Sequence, residues 1–447
     1  MSKKIFKKTL NGFRKKTLAN PQVRLAQNAS IRNEVIELTM DWEHFRKIDH
    51  SFSDIVSGEM PATNQKSSGR CWGFAGLNLF RIYLGRKHNL KDFQFSQSFF
   101  MFWDKLEKSN YFLESILKTT DLHWSSRLVM HLLDNPIQDG GQWDMWVNLI
   151  NKYGVVPQSE MPESYSSSKS MRMNRMITRK LREFAKQLRE SSQNSSSDSQ
   201  LQSMKIDMLE EIYQMLTIHL GTPPNSFDWQ IRDKKQSFSR FEKLTPQSFY
   251  NDHVGLNLDE YICLINCPMS DKEYNKVYTV EMLGNVVEGH SIRYLNVESN
   301  VMKQAAINSL KNGDPVWFGC DVSKHFHRDL GVMDIALFDF DSFYGTKFGM
   351  DKAVRLEYGD SQMTHAMLFT GVDLDSKGNP LKWRVENSWG DKGGNKGYHI
   401  MTDLWFDEYN YEVVIHKSCL SDDLVEIFET SEAISLKPWD PMGALAK

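Results

Sequence analysis

The chain has 447 residues, of which 40% are hydrophobic and 25% are charged, a composition typical of a soluble globular protein with two or three domains. Its 54 basic and 57 acidic residues give a formal net charge of −3, which predicts no general attraction to nucleic acid or to an anionic membrane. No apolar run approaches the roughly 20 residues that span a bilayer, so we expect no membrane segment.

The cysteines are few and odd in number, which argues against a disulfide framework and predicts a reducing compartment. They are Cys71, Cys263, Cys267, Cys320 and Cys419. Cys263 and Cys267 lie four positions apart, but neither a second pair nor a nearby histidine completes a zinc site. We therefore expect both in the core, and we predict neither a metal nor another cofactor.

Residues 1–60 are predicted to form a lead-in segment that packs on the rest of the fold. Seven of the first sixteen residues are Lys or Arg. A mobile basic arm is the simplest interpretation, and a mitochondrial presequence or a nucleic-acid tether are the alternatives. No apolar core of signal-peptide length follows this stretch, so a secretory signal is not expected.

The range 61–155 is predicted to be a helical lobe, and it begins with the most informative stretch of the chain. Gln65 stands six positions before Cys71, and the apolar run after Cys71 predicts a buried helix with this cysteine in its first turn. Unpaired backbone N–H groups and the helix dipole favour an anion there, so the pattern predicts a reactive thiolate. A small buried cysteine without chemistry is the alternative. Gly140 and Gly141 form a turn ahead of a further predicted helix at 143–153.

The range 156–300 is predicted to be an insertion region that carries no chemistry. It combines helices at 171–189 and 204–220 with a flexible Ser-rich loop at 191–199. From residue 221 onward, β-branched and aromatic residues predict strands and turns.

The range 301–435 is predicted to hold one helix, at 301–312, followed by short strands. His365 stands in a strand-like apolar run, and Asn387 follows 22 positions later (387 − 365) at the start of Asn-Ser-Trp-Gly. A histidine can take the proton of a nucleophilic cysteine, and an asparagine can hold the imidazole in the required orientation. Trp389 could shield that hydrogen bond from water. Alone, each residue is more simply explained as part of the core, and only the order Gln, Cys, His, Asn is specific.

These motifs resemble those of papain-like cysteine proteases, and most closely those of the bleomycin hydrolase/aminopeptidase C family. The resemblance continues through the stretches 20–29, 139–145, 153–157, 278–281 and 283–287. It implies an α+β, papain-like two-lobe fold, with the cysteine in a helical lobe and the histidine and asparagine in a β-barrel-like lobe. A large insertion and a C-terminal arm complete the implied architecture.

The resemblance assigns a catalytic role to four residues, namely the nucleophile Cys71, the general base and acid His365, the orienting Asn387 and the oxyanion donor Gln65. It also matches Gly140 and Gly141 to the glycines that let an extended substrate backbone approach closely. A plain turn explains this pair equally well.

Two features depart from ordinary papain-like enzymes. His365 follows Cys71 by 294 positions (365 − 71), about twice the usual separation. Arg70 stands where many secreted members have a second cysteine. Both departures fit the cytosolic bleomycin hydrolase/aminopeptidase C branch, so the implied location is the cytoplasm.

The stretch 436–447, called the C-terminal arm below, contains a Pro-Trp-Asp-Pro elbow and a small, flexible end. A frayed terminus is the simplest interpretation. The stretch is similar to the C-terminal arm of the family, which lies in the active-site cleft. By this resemblance, the carboxylate of Lys447 would hold the free amine of the substrate.

The implied function is a cysteine aminopeptidase of broad specificity that acts on peptides through a thioester acyl-enzyme and is restricted by its own arm. An endopeptidase or oligopeptidase of the same family is the alternative. The resemblance also implies a homohexamer with active sites that face an inner channel. Nucleic acid is a less favoured partner, because only the basic N-terminus supports it, and a catalytically inactive homologue is disfavoured because all four catalytic residues are present.

Overall fold

The computed structural model describes residues 4–446, apart from the side chain of Ala446. Four short helices come first: α1 (Lys7–Leu18), α2 (Pro21–Ser30), α3 (Val35–Thr39) and α4 (Trp42–Phe45). The basic N-terminal stretch is therefore helical over most of its length. The sequence alone is more simply interpreted as a mobile arm. α1 buries no residue, and its large apolar side chains Leu10 and Phe13 are exposed.

Four longer helices follow: α5 (Cys71–Lys87), α6 (Gln97–Leu117), α7 (Arg127–Asp134) and α8 (Trp143–Tyr153). α5 is buried on nearly every side, as its continuous apolar sequence predicts. Two glycines let its neighbours come close, because a Cβ on Gly73 would collide with the ring of Phe100 and one on Gly76 with that of Trp146. The cysteine helix is thus fixed between α6 and α8.

The next helices are α9 (Tyr165–Ser168), α10 (Met171–Gln193) and α11 (Asp198–Leu220). α10 and α11 contact each other, and both pack against α6. Their connection is shorter than the predicted loop at 191–199. Ser197 and Gln200 form a capping box that begins α11, since each side chain bonds the backbone N–H of the other.

The remaining α-helices are α12 (Pro246–Phe249), α13 (Ser299–Lys311), α14 (Phe340–Tyr344), α15 (Lys352–Glu357), α16 (Asp403–Tyr409) and α17 (Asp422–Thr430). The strands are β1 (Asp54–Ile55), β2 (Phe227–Arg232), β3 (Phe238–Leu244), β4 (Tyr261–Ile265), β5 (Lys276–Val280), β6 (Tyr294–Asn296), β7 (Val316–Cys320), β8 (Phe326–His327), β9 (Val332–Met333), β10 (His365–Leu374), β11 (Pro380–Glu386), β12 (Tyr398–Thr402), β13 (Asn410–His416) and β14 (Ile434–Leu436).

One twelve-stranded sheet has the order β14-β5-β6-β4-β13-β7-β10-β11-β12-β9-β8, with β1 paired to β10. β2 and β3 form a separate two-stranded ribbon. Strands β4 to β6 come from the predicted insertion range and join this sheet through the antiparallel pair β4–β13. The bounds predicted for the separate ranges remain predictions.

The helical part and the sheet meet where α5 packs on β10. Residues of α5, α6, α8, β7 and β10 share one continuous apolar core. This packing brings the N-terminus of α5, which is Cys71, toward the first residue of β10, which is His365. The predicted α+β class is confirmed. Within residues 4–446, no helix is both long enough and apolar enough to cross a membrane.

Candidate active site

Cys71 is the first residue of α5 and is only 4% exposed. Arg70 precedes it without a side-chain cap on the helix, so the first backbone N–H groups are left for other acceptors. Burial raises the pKa of the Cys71 thiol to about 11, although the backbone N–H groups of Ala366, Trp72 and Cys71 itself bond the sulfur and oppose this effect. The sulfur thus has donors in place for a negative charge.

His365 is bonded to Asn387 within the buried interior, with 2.9 Å between Nε2 and Oδ1. Because an amide oxygen only accepts, Nε2 carries the proton and Nδ1 is left as the basic nitrogen. Burial lowers the pKa of His365 to about 4, against the opposing effect of the Asn387 bond, and the charge of Arg328 lowers it further. The Trp389 ring lies 4.9 Å from the imidazole, between centroids.

Cys71 and His365 line one cavity of about 910 Å³, together with Gln65 and Gly140. Burial by itself favours a neutral thiol and a neutral imidazole. Transfer of the proton from Sγ to the imidazole creates two opposite charges side by side, so each compensates for the buried charge of the other. The arrangement can therefore generate a thiolate nucleophile.

Gln65 faces this cavity from the loop before α5, and both ends of its amide are held. Its Nε2 donates to the carbonyl oxygen of Ser68 (2.6 Å), and its Oε1 accepts from Ser388 Oγ (2.6 Å). An amide NH₂ has two hydrogens, so one remains for another acceptor. The Gln65 backbone N–H also donates to the Ser388 carbonyl oxygen (2.8 Å), which ties this loop to the residue after Asn387.

The two candidate substrate-binding glycines differ in position. Gly140 lines the cavity, and its carbonyl oxygen accepts from Lys108 Nζ (2.5 Å). Gly141 does not line it. A Cβ on Gly141 would overlap the indole of Trp72, whose Nε1 donates to the carbonyl oxygen of Asp139 (2.6 Å). The missing side chain at Gly141 therefore has a packing reason of its own.

Asp139 is a residue that the sequence does not single out, and it connects three parts of the site. Its carboxylate accepts from the backbone N–H of Gly69 (3.0 Å), from Asn174 Nδ2 (2.7 Å) and from Ser170 Oγ, and it pairs with Lys105 Nζ (2.7 Å). Burial would raise its pKa, but the charge and the hydrogen bond of Lys105, together with the bonds from Ser170 and Asn174, hold the pKa well below its usual range. Asp139 thus stays charged and fixes the loop before Cys71 to α6 and α10.

Arg70 provides a second anchor for the same loop. Its guanidinium makes a bidentate ion pair with Glu163 (2.9 and 2.7 Å), and its Nε donates to Ser68 Oγ (2.9 Å). The Arg70 side chain is only 2% exposed. A bidentate ion pair on a buried guanidinium therefore ties the loop before Cys71 to Glu163.

The C-terminal arm is attached to the fold at several points before it reaches the cavity. Strand β14 runs parallel to β5, and the turn of 3-10 helix Pro441–Ala446 follows. The buried carbonyl oxygen of Met442 accepts from Gln142 Nε2 (3.4 Å) and from the hydroxyl of Tyr294 (3.3 Å). Lys272 Nζ pairs with Asp440 (2.9 Å).

The end of the arm contributes to the cavity that contains the reacting pair. Ala444 and Leu445 line it together with Cys71 and His365. Lys447 lies outside the described residues. Of the predicted site residues, the structure therefore brings together Cys71, His365, Asn387, Gln65 and Gly140, and it adds the two arm residues.

Comparisons with known proteins agree with this geometry. Residues 4–443 match the model of the Peptidase C1-like family. The chain is 46% identical to an aminopeptidase C of Listeria monocytogenes, with 98% of each chain covered, and 43% identical to a bleomycin hydrolase of Homo sapiens, with 96% of each covered. It is also similar to the crystal structure of PepW from Lactobacillus rhamnosis HN001, with a TM-score of 0.97 and 45% identity over 99% of this chain and 100% of that one. The chain therefore belongs to the Peptidase C1-like family, has a papain-like fold and is a cysteine peptidase.

Proposed function

We propose that the protein is a cysteine aminopeptidase that releases N-terminal residues from peptides and is restricted by its own C-terminal arm. The observation that carries the proposal is that Ala444 and Leu445 line the same cavity as Cys71 and His365. The names of the aminopeptidase C relatives support the same reaction. Peptides are accordingly the proposed substrates.

In the first half of the reaction, His365 Nδ1 takes the proton of Cys71, and the thiolate attacks the carbonyl carbon of the first peptide bond. The oxyanion that forms accepts from the Cys71 backbone N–H and from the free hydrogen of Gln65 Nε2. The C–N bond then breaks as the imidazolium gives its proton to the departing amine. This step leaves the N-terminal residue on Sγ as a thioester.

In the second half, a water molecule replaces the departed amine. His365 takes a proton from this water while the oxygen attacks the thioester carbon, and the same oxyanion donors act again. The C–S bond breaks, the proton returns to the sulfur, and the free amino acid leaves. Asn387 holds the imidazole with its proton on Nε2 during both halves, because Asn387 Oδ1 can only accept a hydrogen bond from that nitrogen (2.9 Å), and the backbone N–H of Ser388 holds the same oxygen in place (2.8 Å).

The arm limits the chain length that fits ahead of the scissile bond. Leu445 lines the cavity, and two further residues reach at most about 7 Å from it. We propose that the α-carboxylate of Lys447 pairs with the free amine of the substrate, while Gly140 supports the extended substrate backbone. Gly141 would serve the substrate only indirectly, through the position of Trp72.

The test compares a free-amine aminoacyl fluorogenic substrate with its N-acetylated form. The intact protein is expected to cleave only the free-amine form, and Cys71→Ala should cleave neither. Deletion of residues 444–447 should raise cleavage of the acetylated form and lower cleavage of the free amine. If the deletion leaves the ratio unchanged, the arm is not the restricting element, and if the intact protein cleaves both forms equally, the endopeptidase alternative replaces the proposal.

We further propose a cytoplasmic homohexamer. The exposed apolar side chains Leu10, Phe13 and Leu18 of α1 support assembly, because contact with a partner would remove them from water. All five cysteines are free thiols, which supports a reducing compartment. Light scattering should give six chains of 52.0 kDa each, about 312 kDa, and a stable monomer would exclude the hexamer.

Nucleic acid remains a weaker candidate partner, to be tested by the salt dependence of binding.

A further inference from the structure

The rim of the site beyond His365 carries a cation that the proposed reaction does not use. Arg328 is exposed, and its guanidinium carbon lies 4.9 Å from the centroid of the Trp389 ring. That ring lies 4.9 Å from the imidazole of His365 and is tilted from it by 40°. The three side chains form a continuous series of contacts from the reacting pair to the surface.

Backbone contacts fix the segment that carries Arg328. The backbone N–H of Gly394 donates to the carbonyl oxygen of Asp329 (3.0 Å). A Cβ on Gly393 would lie 2.8 Å from the carbonyl oxygen of Arg328, so this segment fits closely against the loop that follows Trp389. The backbone that carries Arg328 therefore has a defined place on the rim.

Within residues 4–446, Arg328 has the Trp389 ring as its side-chain partner and has no carboxylate at ion-pair distance. A guanidinium that stacks on an aromatic ring keeps the N–H groups along its edge available. Those donors match the two oxygens of a carboxylate better than any neutral group. The Arg328 guanidinium can therefore bind a carboxylate.

Arg328 lies outside the cavity that the arm enters. The C-terminal arm lines the cavity that contains Cys71 and His365, whereas neither Trp389 nor Arg328 lines it. In the proposed reaction, the arm occupies the side ahead of the scissile bond, and His365 gives its proton to the departing amine. The Trp389 face of His365 lies outside that cavity, and it is therefore the face that we assign to the departing fragment.

We propose that Arg328 is a specificity-determining residue that binds a carboxylate on the departing fragment. The favoured substrates are then peptides with an acidic side chain directly after the scissile bond, or short peptides whose own C-terminal carboxylate reaches the same place. This inference rests on the proposed aminopeptidase function. Because the ion pair is exposed to solvent, the preference is about twofold to fivefold in kcat/KM, and it weakens as salt is added.

The test measures kcat/KM on two pairs of free-amine peptides. Alanyl-aspartyl-alanine amide and alanyl-asparaginyl-alanine amide probe an acidic side chain, whereas alanyl-alanine and its amide probe the C-terminal carboxylate. The natural protein is expected to prefer the carboxylate member of at least one pair, and the responding pair identifies the source of the carboxylate. Arg328→Gln should abolish the preference, and Arg328→Lys should keep part of it.

Lys392→Gln is the matched control, because it removes one exposed cation from the loop after Trp389, and the preference should persist in it. Equal kcat/KM within both pairs, or a preference that survives Arg328→Gln, overturns the role of Arg328. Failure to cleave any of the four peptides overturns the aminopeptidase proposal itself, so the two failures are distinguishable.

Discussion

Arg81 and Glu386 form a buried ion pair, with 2.6 Å between Nη2 and Oε1, that joins the cysteine helix to the strand leading to Asn387. Their side chains are 2% and 1% exposed. Arg81 Nη1 also donates to the carbonyl oxygen of Pro61 (2.9 Å). Burial raises the pKa of Glu386 in spite of the attraction of Arg81, so the pair connects the two halves of the site without being a large net source of stability.

Removal of one partner of this ion pair should nevertheless lower the stability of the fold. Arg81→Met leaves the Glu386 carboxyl buried without its cation, and we expect a loss of about 3–5 kcal/mol in the free energy of unfolding, measured by urea denaturation. The double variant Arg81→Met with Glu386→Leu should recover most of this loss. Arg46→Met is the control, because its ion pair with Glu43 has side chains 65% and 77% exposed and should cost less than about 1 kcal/mol. Equal losses in the two single variants would contradict the role of burial.

The proposed catalytic residues could be predicted from the order Gln, Cys, His, Asn and from the resemblance of the motifs around them to those of papain-like cysteine proteases. A loop, a cysteine and an apolar helix are contiguous around Cys71, and a strand pattern surrounds His365. Periodicity predicts these elements, and the structure brings the two residues to one cavity although 294 positions (365 − 71) separate them. Each of these residues alone is more simply explained as part of the core, so the prediction depends on their combination and on the family resemblance.

The residues that hold the site in place could not be predicted in this way. Asp139 and Gly69 are 70 positions apart, and Arg81 and Glu386 are 305 apart. In the sequence, each charged residue of these pairs looks like a surface charge, since only tertiary partners make the burial of a charge tolerable. The Ser-rich run at 191–199 looks like a loop for a different reason, because serine is common both in loops and at the starts of helices, and here Ser197 caps α11.

The acid limb of the pH–activity profile should follow the protonation of His365. The imidazole must be neutral to accept the thiol proton, so activity is lost as the pH falls through its pKa. Burial lowers this pKa from 6.5 to about 4, and we expect the acid limb of a bell-shaped kcat/KM profile well below pH 6.5. Because the positive charge of Arg328 also lowers the pKa, Arg328→Gln should move the limb to higher pH. A limb at or above pH 6.5 in the natural protein, or no shift in the variant, would count against this assignment.

The turn before the end of the arm should control how often the arm leaves the cavity. Lys272 Nζ, on a fully buried side chain, pairs with Asp440 Oδ2 (2.9 Å), while Asp440 Oδ1 accepts from the Met442 N–H (2.9 Å). Asp440→Asn keeps the shape of this turn but removes the more buried of the two carboxylates that pair with Lys272, and only the largely exposed Asp271 (3.1 Å) is left as a counter-charge. We expect the ratio of N-acetylated to free-amine turnover to rise several-fold, because a detached arm no longer blocks longer chains.

Lys437→Met is the matched control for the arm. Lys437 lies on the same arm, but its ion pair with Glu281 is exposed, with side chains 63% and 37% accessible. The turnover ratio should therefore stay at its natural value. A ratio that changes in Lys437→Met as much as in Asp440→Asn would show that any loss of charge on the arm suffices, and that the buried pair has no special part.

The amide of Gln65 should act on the oxyanion and not on the thiol. Gln65→Ala removes one donor to the oxyanion, so we expect kcat to fall by about 10²–10³, equivalent to about 3 kcal/mol, with little change in KM. Ser388→Ala removes the 2.6 Å bond that orients this amide and should cost less, about tenfold. Alkylation of Cys71 by iodoacetamide forms no oxyanion, so its rate should stay near the natural value in both variants. Asn387→Ala, which releases the imidazole, should slow alkylation and turnover alike. If Gln65→Ala also slowed alkylation, Gln65 would act on the thiol and not on the oxyanion.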